Sequence, residues 1–113
     1  MSNLKRKIEN IEIEGKKYMM AFDMASVDLF QELSGKGVLK SVIKLNELDD
    51  KTVLDFIAST LRTADNPENP LGENLYNGEL DLFTVMIILI PHVIKIVNEG
   101  FPKADNEVEE GKN

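Results

Sequence analysis

The stretch Ile8-Glu9-Asn10-Ile11-Glu12-Ile13-Glu14-Gly15-Lys16-Lys17-Tyr18-Met19-Met20-Ala21-Phe22-Asp23 changes its apolar period at its end. Up to Phe22 the period is two, which buries one face of a strand. In the residues that follow, Met24 to Gly35, the period is helical. Ile11 and Ile13 share one strand face, and Glu12 and Glu14 share the other. Gly15 with Lys16 is expected to supply the tight turn, because glycine takes positive φ without steric cost. Tyr18, Met20 and Phe22 continue the inward face on the return strand. A lone hairpin is marginal in water, so this one needs a surface to pack on. The helices that follow provide it. The expected fold is therefore α+β: an N-terminal two-stranded β-hairpin packed on a bundle of four to five α-helices, in a single domain over residues 1–102.

Working outward, Asp23 fits a helix N-cap and Gly35 the glycine that closes the same helix. Val27, Phe30 and Leu33 form its apolar stripe, flanked by Leu29, with Asp28, Gln31 and Glu32 toward water. A second helical piece is expected from Gly37 to about Leu45, with Val38, Leu39, Val42 and Ile43 apolar. Asp49 or Asp50 caps a third, in which Val53, Leu54, Ile57, Ala58 and Leu61 recur at helical spacing. Asp55, Ser59 and Arg62 are placed on its other side. Two prolines, two asparagines and a glycine make 65–72 a loop, with one short helical turn expected within 71–77.

Glu79 or Asp81 opens the last helix. From Leu82 to Val97 it is apolar almost all round, with Thr84, Ile88, His92 and Lys95 as its one semi-polar strip. Such a helix is either central in its domain or covered by a partner. Pro91 removes one backbone hydrogen bond and is expected to bend the helix near Ile87, or to divide it into two there. The apolar run is shorter and more interrupted than the ~20 residues a membrane span needs. Residues 103–113 are polar and acidic, the composition of a disordered tail.

Composition narrows function mainly by exclusion. A formal net charge of −7 disfavours nucleic acid and anionic membrane as partners, since phosphate binding needs a positive patch. The one basic cluster, Lys5-Arg6-Lys7, reads as a solvated chain end. With no cysteine there is neither a disulfide framework nor a thiolate metal site, and a reducing compartment fits. His92 is the only histidine, which rules out a histidine metal cluster. Asp49, Asp50 and Asp55 lack the glycine and bidentate acid of a calcium loop, so capping and solvation account for them. Gly35-Lys36-Gly37 has no preceding strand to make a phosphate loop, and no serine sits in a nucleophile elbow. These residues point to no enzyme and no cofactor. Met19, Met20, Met24 and Met86 suit core packing and permissive protein contacts alike.

The segments Ile13-Glu14-Gly15-Lys16-Lys17-Tyr18 and Phe22-Asp23, then Leu29, Glu32 and Gly35, resemble the opening of the small tail assembly chaperones of long-tailed bacteriophages and gene transfer agents. A later helix ending in Leu-Arg is typical of that family, and Leu61-Arg62 stands in that place. The resemblance covers residues 8–64. It implies binding rather than catalysis, in the host bacterial cytoplasm. The partner it implies is the phage tape-measure protein, a long helical chain that is coated before tail tube protein polymerises around it and displaces the coat. An uncovered amphipathic chain of that kind aggregates through its apolar stripes. Many linked copies along one chain gain avidity.

The expected protein-binding residues are Phe83, Ile87, Ile90 and Ile94 on the last helix, with a homo-oligomer through the same surface as the competing use and plain core packing as the structural one. The family often makes a longer product by ribosomal frameshifting. Gly111-Lys112-Asn113 can be encoded as GGA-AAA-AAC, which contains a slippery run. Two other classes compete: a structural tail or head–tail virion component, and an acidic regulator that binds a host protein.

Overall fold

The computed structural model describes residues 8–78 and 80–101. The expectations for Lys5-Arg6-Lys7, Glu79 and the tail 103–113 lie outside the described residues. The chain folds as α+β in the order β1 (Ile8–Ile13), β2 (Lys16–Ala21), α1 (Met24–Ser34), α2 (Val38–Asn46), α3 (Asp50–Thr60), β3 (Leu61–Thr63), α4 (Asn74–Asn77) and α5 (Leu82–Gly100). β1 and β2 form an antiparallel hairpin with Ile11 opposite Tyr18 and Ile13 opposite Lys16. The two-residue turn is Glu14-Gly15, not Gly15-Lys16. Both residues have positive φ, 54° and 82°, the arrangement whose twist matches that of the flanking strands.

The two-stranded hairpin is extended to a three-stranded sheet. β3 adds to the far side of β2, with Tyr18 opposite Thr63 and Met20 opposite Leu61, in the sheet order β1-β2-β3. Leu61 and Arg62, expected on a helix, are therefore strand residues. Helix α3 stops at Thr60, and the chain enters extended backbone at Leu61. The inward face carries Ile11, Ile13, Tyr18, Met20, Phe22 and Leu61, all in the hydrophobic core.

Caps fix the helix starts. The Asp23 carboxylate accepts from Ser26 N–H at 3.1 Å, and the Ser26 hydroxyl accepts from Asp23 N–H at 3.2 Å, a reciprocal capping box. Gly35, at φ 72°, ends α1 as expected. Asp49 caps α3 and Asp81 caps α5.

The central element is α3 and not the more apolar α5. It packs against α1, α2 and α5, and Thr52, Val53 and every residue from Asp55 to Thr60 are buried. The rings of Phe30 and Phe56 stack at 4.0 Å between centroids. Asp55, Ser59 and Arg62, placed by the spacing on the side away from the apolar stripe, are all buried too. The reason is the segment after β3, which folds back. Leu71 N–H donates to Leu61 O and Gly72 N–H to Ala58 O, both at 2.8 Å, so the loop covers α3's outer side and satisfies a carbonyl of its last turn. α4 then seats Tyr76, whose hydroxyl donates to Asp55 at 3.1 Å. Lys51 pairs with the same carboxylate at 2.6 Å. Burial first, and the Asp55 charge second, push the Tyr76 hydroxyl above its ordinary range, so it remains a donor.

Arg62 is fully buried, at 0% exposure. Its guanidinium reaches both Asp23 carboxylate oxygens (3.0 and 3.3 Å), the Ser26 hydroxyl (3.0 Å) and the carbonyls of Ala21 (3.1 Å), Thr60 (3.2 Å) and Pro67 (2.9 Å). The fork geometry is specific to arginine. Burial alone would raise the Asp23 carboxyl. The hydrogen bonds and charge of Arg62, helped by Ser26, outweigh that and hold it below the usual aspartate value.

Two outcomes follow from this pair. Arg62→Met removes the guanidinium that these acceptors share and lowers unfolding free energy by about 3 kcal/mol, measured by urea denaturation. Asp23→Asn tests the pH dependence. A carboxyl with a depressed folded pKa stabilises the fold above its unfolded value, and that contribution is lost as pH falls through the folded value. The variant is therefore less stable than wild type at neutral pH. The gap narrows as pH drops below about 4, the ordinary aspartate value, which urea titrations across that range check.

Candidate protein-binding surface

α5 is built from Leu82-Phe83-Thr84-Val85-Met86-Ile87-Ile88-Leu89-Ile90-Pro91-His92-Val93-Ile94-Lys95-Ile96-Val97-Asn98-Glu99-Gly100. At 100° per residue its buried members, Val85, Leu89, Val93, Ile96, Val97 and Gly100, fall on one side. That side packs on α3, β1 and β2. Contact is closest at Gly100, where an added Cβ would stand 2.6 Å from the Phe22 ring. The Phe101 ring meets Phe22 edge-on at 5.5 Å.

The semi-polar strip is occupied. Glu9 of β1 meets His92 Nδ1 at 3.0 Å and Lys95 Nζ at 3.3 Å. The Glu9 carboxyl is held below its ordinary value, first by the His92 hydrogen bond and then, against some burial, by Lys95. His92 thus ties the helix to the edge of the sheet. Asn98 and Asn46 exchange side-chain hydrogen bonds at 3.0 and 3.3 Å, tying α5 to α2.

The third side of α5 carries the four residues singled out from the sequence. Phe83, Ile87, Ile90 and Ile94 have the spacing i, i+4, i+7, i+11 and share one stripe. Phe83 is 68% exposed and Ile87 60%. Ile90 and Ile94 are half-buried and pack partly on the core. The stripe is thus a graded surface, open in the N-terminal half of the helix and half-buried at Ile90 and Ile94. The helix runs uninterrupted through Pro91, so it is not divided into two there. Pro91 lies on the exposed side, where the carbonyl it leaves without a donor faces solvent.

In length and composition α5 would suffice to cross a membrane, more than its interrupted apolar run suggested. In this fold, five of its residues, Val85, Leu89, Val93, Ile96 and Val97, belong to the buried core. Met19 and Met20 are buried, Met86 is partly so, and Met24 is exposed.

Sequence reasoning passed over a second exposed apolar pair. Leu39 and Ile43 of α2 are 77% and 66% exposed, while Val38, Ser41 and Leu45 form that helix's buried face. The available signal was breadth. Val38, Leu39, Val42, Ile43 and Leu45 span more of the helix circumference than a single buried face can absorb. The acids have structural partners: Asp49 caps α3, and Asp55 holds Lys51 and Tyr76. Among the described residues, no three acids or histidine are grouped to hold a metal ion.

The chain matches no protein-family model, and no significant match joins it to a curated protein or to a solved structure.

Because Phe83 and Ile87 make few contacts within the fold, F83D/I87D should shift unfolding free energy by no more than about 1 kcal/mol in total. Leu89→Asp buries a carboxylate in the core and should abolish the folded state. Circular-dichroism melts of the two variants separate surface from core on the same helix.

Proposed function

We propose that this chain is a non-enzymatic binding protein, a tail assembly chaperone. It lays the Phe83-Ile87-Ile90-Ile94 stripe of α5 on apolar stripes of a phage tape-measure protein in the host bacterial cytoplasm. Tail tube protein then takes its place. The observation that carries the reading is the exposure of Phe83 and Ile87 on a helix whose opposite side is packed in the core. Removing each such side chain from water is worth about 1.5–3 kcal/mol. The stripe has no charge of its own to desolvate, and Lys95 and His92 point to Glu9 on another side of the helix. A net charge of −7 supports the solubilising role, because bound copies turn repulsive charge outward. The same charge disfavours nucleic acid and anionic membrane.

Co-expression with the tape-measure protein tests this. The wild-type chain keeps that protein in the soluble fraction and co-purifies with it, and F83D/I87D does neither while remaining folded. If the double variant rescues solubility as well as wild type does, the α5 stripe is not the contact. If wild type fails to rescue while its size-exclusion profile shows an oligomer that F83D/I87D dissolves, the stripe serves a homo-oligomer instead.

A further inference from the structure

We propose that α5 seats where the apolar stripe of a partner helix is interrupted by a side-chain hydrogen-bond donor, and that this donor bonds to the main-chain carbonyl of Ile87. Given α5 as the contact surface proposed above, on which this rests, the carbonyl selects the place of contact. Pro91 has no N–H, so the Ile87 carbonyl one turn before it lacks the donor that any other residue would supply there. At 100° per residue, the exposed residues of α5, Phe83, Ile87, Pro91, Lys95 and Asn98, fall within about 120° of one another. A helical carbonyl points along the axis toward residue i+4, so this one lies between Ile87 and Pro91, at the middle of the exposed face. The rest of that face offers little else to bond. From Leu82 to Pro91 the one polar side chain is Thr84, and its hydroxyl already donates to the Asp81 cap at 2.7 Å. Lys95 holds Glu9 at 3.3 Å, and Asn98 donates to Asn46 and to the Ile94 carbonyl.

The carbonyl chooses among occupants. Facing solvent, it is hydrated. Under a wholly apolar cover it loses that partner, and a stranded acceptor costs more than a formed bond gains. Lipid hydrocarbon supplies no donor. A second copy of α5, crossing antiparallel over the same point, sets acceptor against acceptor. An amphipathic helix with an amide or hydroxyl side chain at one stripe position does neither. Its apolar residues cover Phe83 and Ile87, and its donor meets the carbonyl between Ile87 and Pro91. Apolar area then supplies the strength of the contact. The donor fixes where along a long helix the chain settles, because every other position leaves the acceptor unpaired.

The test uses two synthetic amphipathic helices with the same leucine stripe and the same flanking charges. They differ at one central stripe position, which is glutamine in one and methionine, of similar shape without the donor, in the other. Binding to the full chain is read by fluorescence anisotropy on wild type and on Pro91→Ala, which returns an N–H to the Ile87 carbonyl. P91A keeps the fold, since Pro91 is exposed and alanine is the better helix former. The glutamine-to-methionine affinity ratio is expected to be about tenfold higher on wild type than on P91A, as one satisfied against one stranded acceptor allows. A change in the bend of α5 moves both peptides together, and the carbonyl alone moves their ratio. An equal ratio on the two chains, with neither peptide bound by F83D/I87D, overturns the proposal and leaves the α5 surface standing. Binding by F83D/I87D as by wild type, or no binding to wild type, removes the surface and the proposal with it. Peptide binding that fades as the chain's own concentration rises, with a dimer in sedimentation, makes a second copy the occupant and also overturns it.

Discussion

The structure depends on the burial of one guanidinium. Removing Arg62 from water is costly, and only complete hydrogen bonding with an opposite charge offsets the loss. Its acceptors come from four places in the chain: the end of β2 at Ala21, the start of α1 at Asp23 and Ser26, the end of α3 at Thr60, and the loop at Pro67. No two of these can shift relative to one another without leaving an N–H unsatisfied in a dry site. The interaction therefore acts on geometry. It sets the angle at which α1 leaves the hairpin, and it holds β3 against β2 in one register.

That geometry decides which helix becomes the core. With β3 pinned, the chain after Thr63 can only return over α3, and its backbone bonds to Leu61 and Ala58 close that helix from outside. α3 is then buried from Asp55 to Thr60, although that stretch carries Asp55, Ser59 and Thr60. Each is satisfied locally: Ser59 and Thr60 donate to Phe56 O, and Asp55 is held by Lys51 and Tyr76. α5, the most apolar segment, is left at the periphery. One of its sides faces the core, another meets Glu9, and a third has no covering element among the described residues. Its excess of apolar surface follows from the fold's having already chosen its centre.

What could be read from the chain alone divides along physical lines. The hairpin, the caps at Asp23, Asp49 and Asp81, the closing Gly35 and the inward set from Ile11 to Phe22 depend on interactions within a few residues, and local periodicity shows those. Leu61-Arg62 reads as the end of a helix, because apolar spacing continues smoothly through Leu61. Nothing near it in sequence reveals that Asp23, thirty-nine positions earlier, awaits its charge. Asp55 reads as solvated for the same reason, since its partner Tyr76 arrives on α4, after the loop that Arg62 holds at Pro67. The stripe on α5 could be named from spacing, but its exposure could not. Whether Phe83 faces core or solvent depends on α3 having taken the central position.

The two exposed apolar faces differ in a way that bears on how such a molecule would work. The α5 stripe carries no charge, so it discriminates little among apolar partners. It suits repeated contacts along a long helix whose sequence varies while its stripe persists. The α2 pair, Leu39 and Ile43, stands among charges of both signs, with Lys40 and Lys44 on its own helix and Glu47 directly after it. The Asn46–Asn98 contact joins the two helices at their C-terminal ends. A protein that coats a partner and must later give way needs contacts of modest individual strength. An apolar stripe graded from open at Phe83 to half-closed at Ile94 provides them, because a displacing chain can begin at the open end without first disrupting the core.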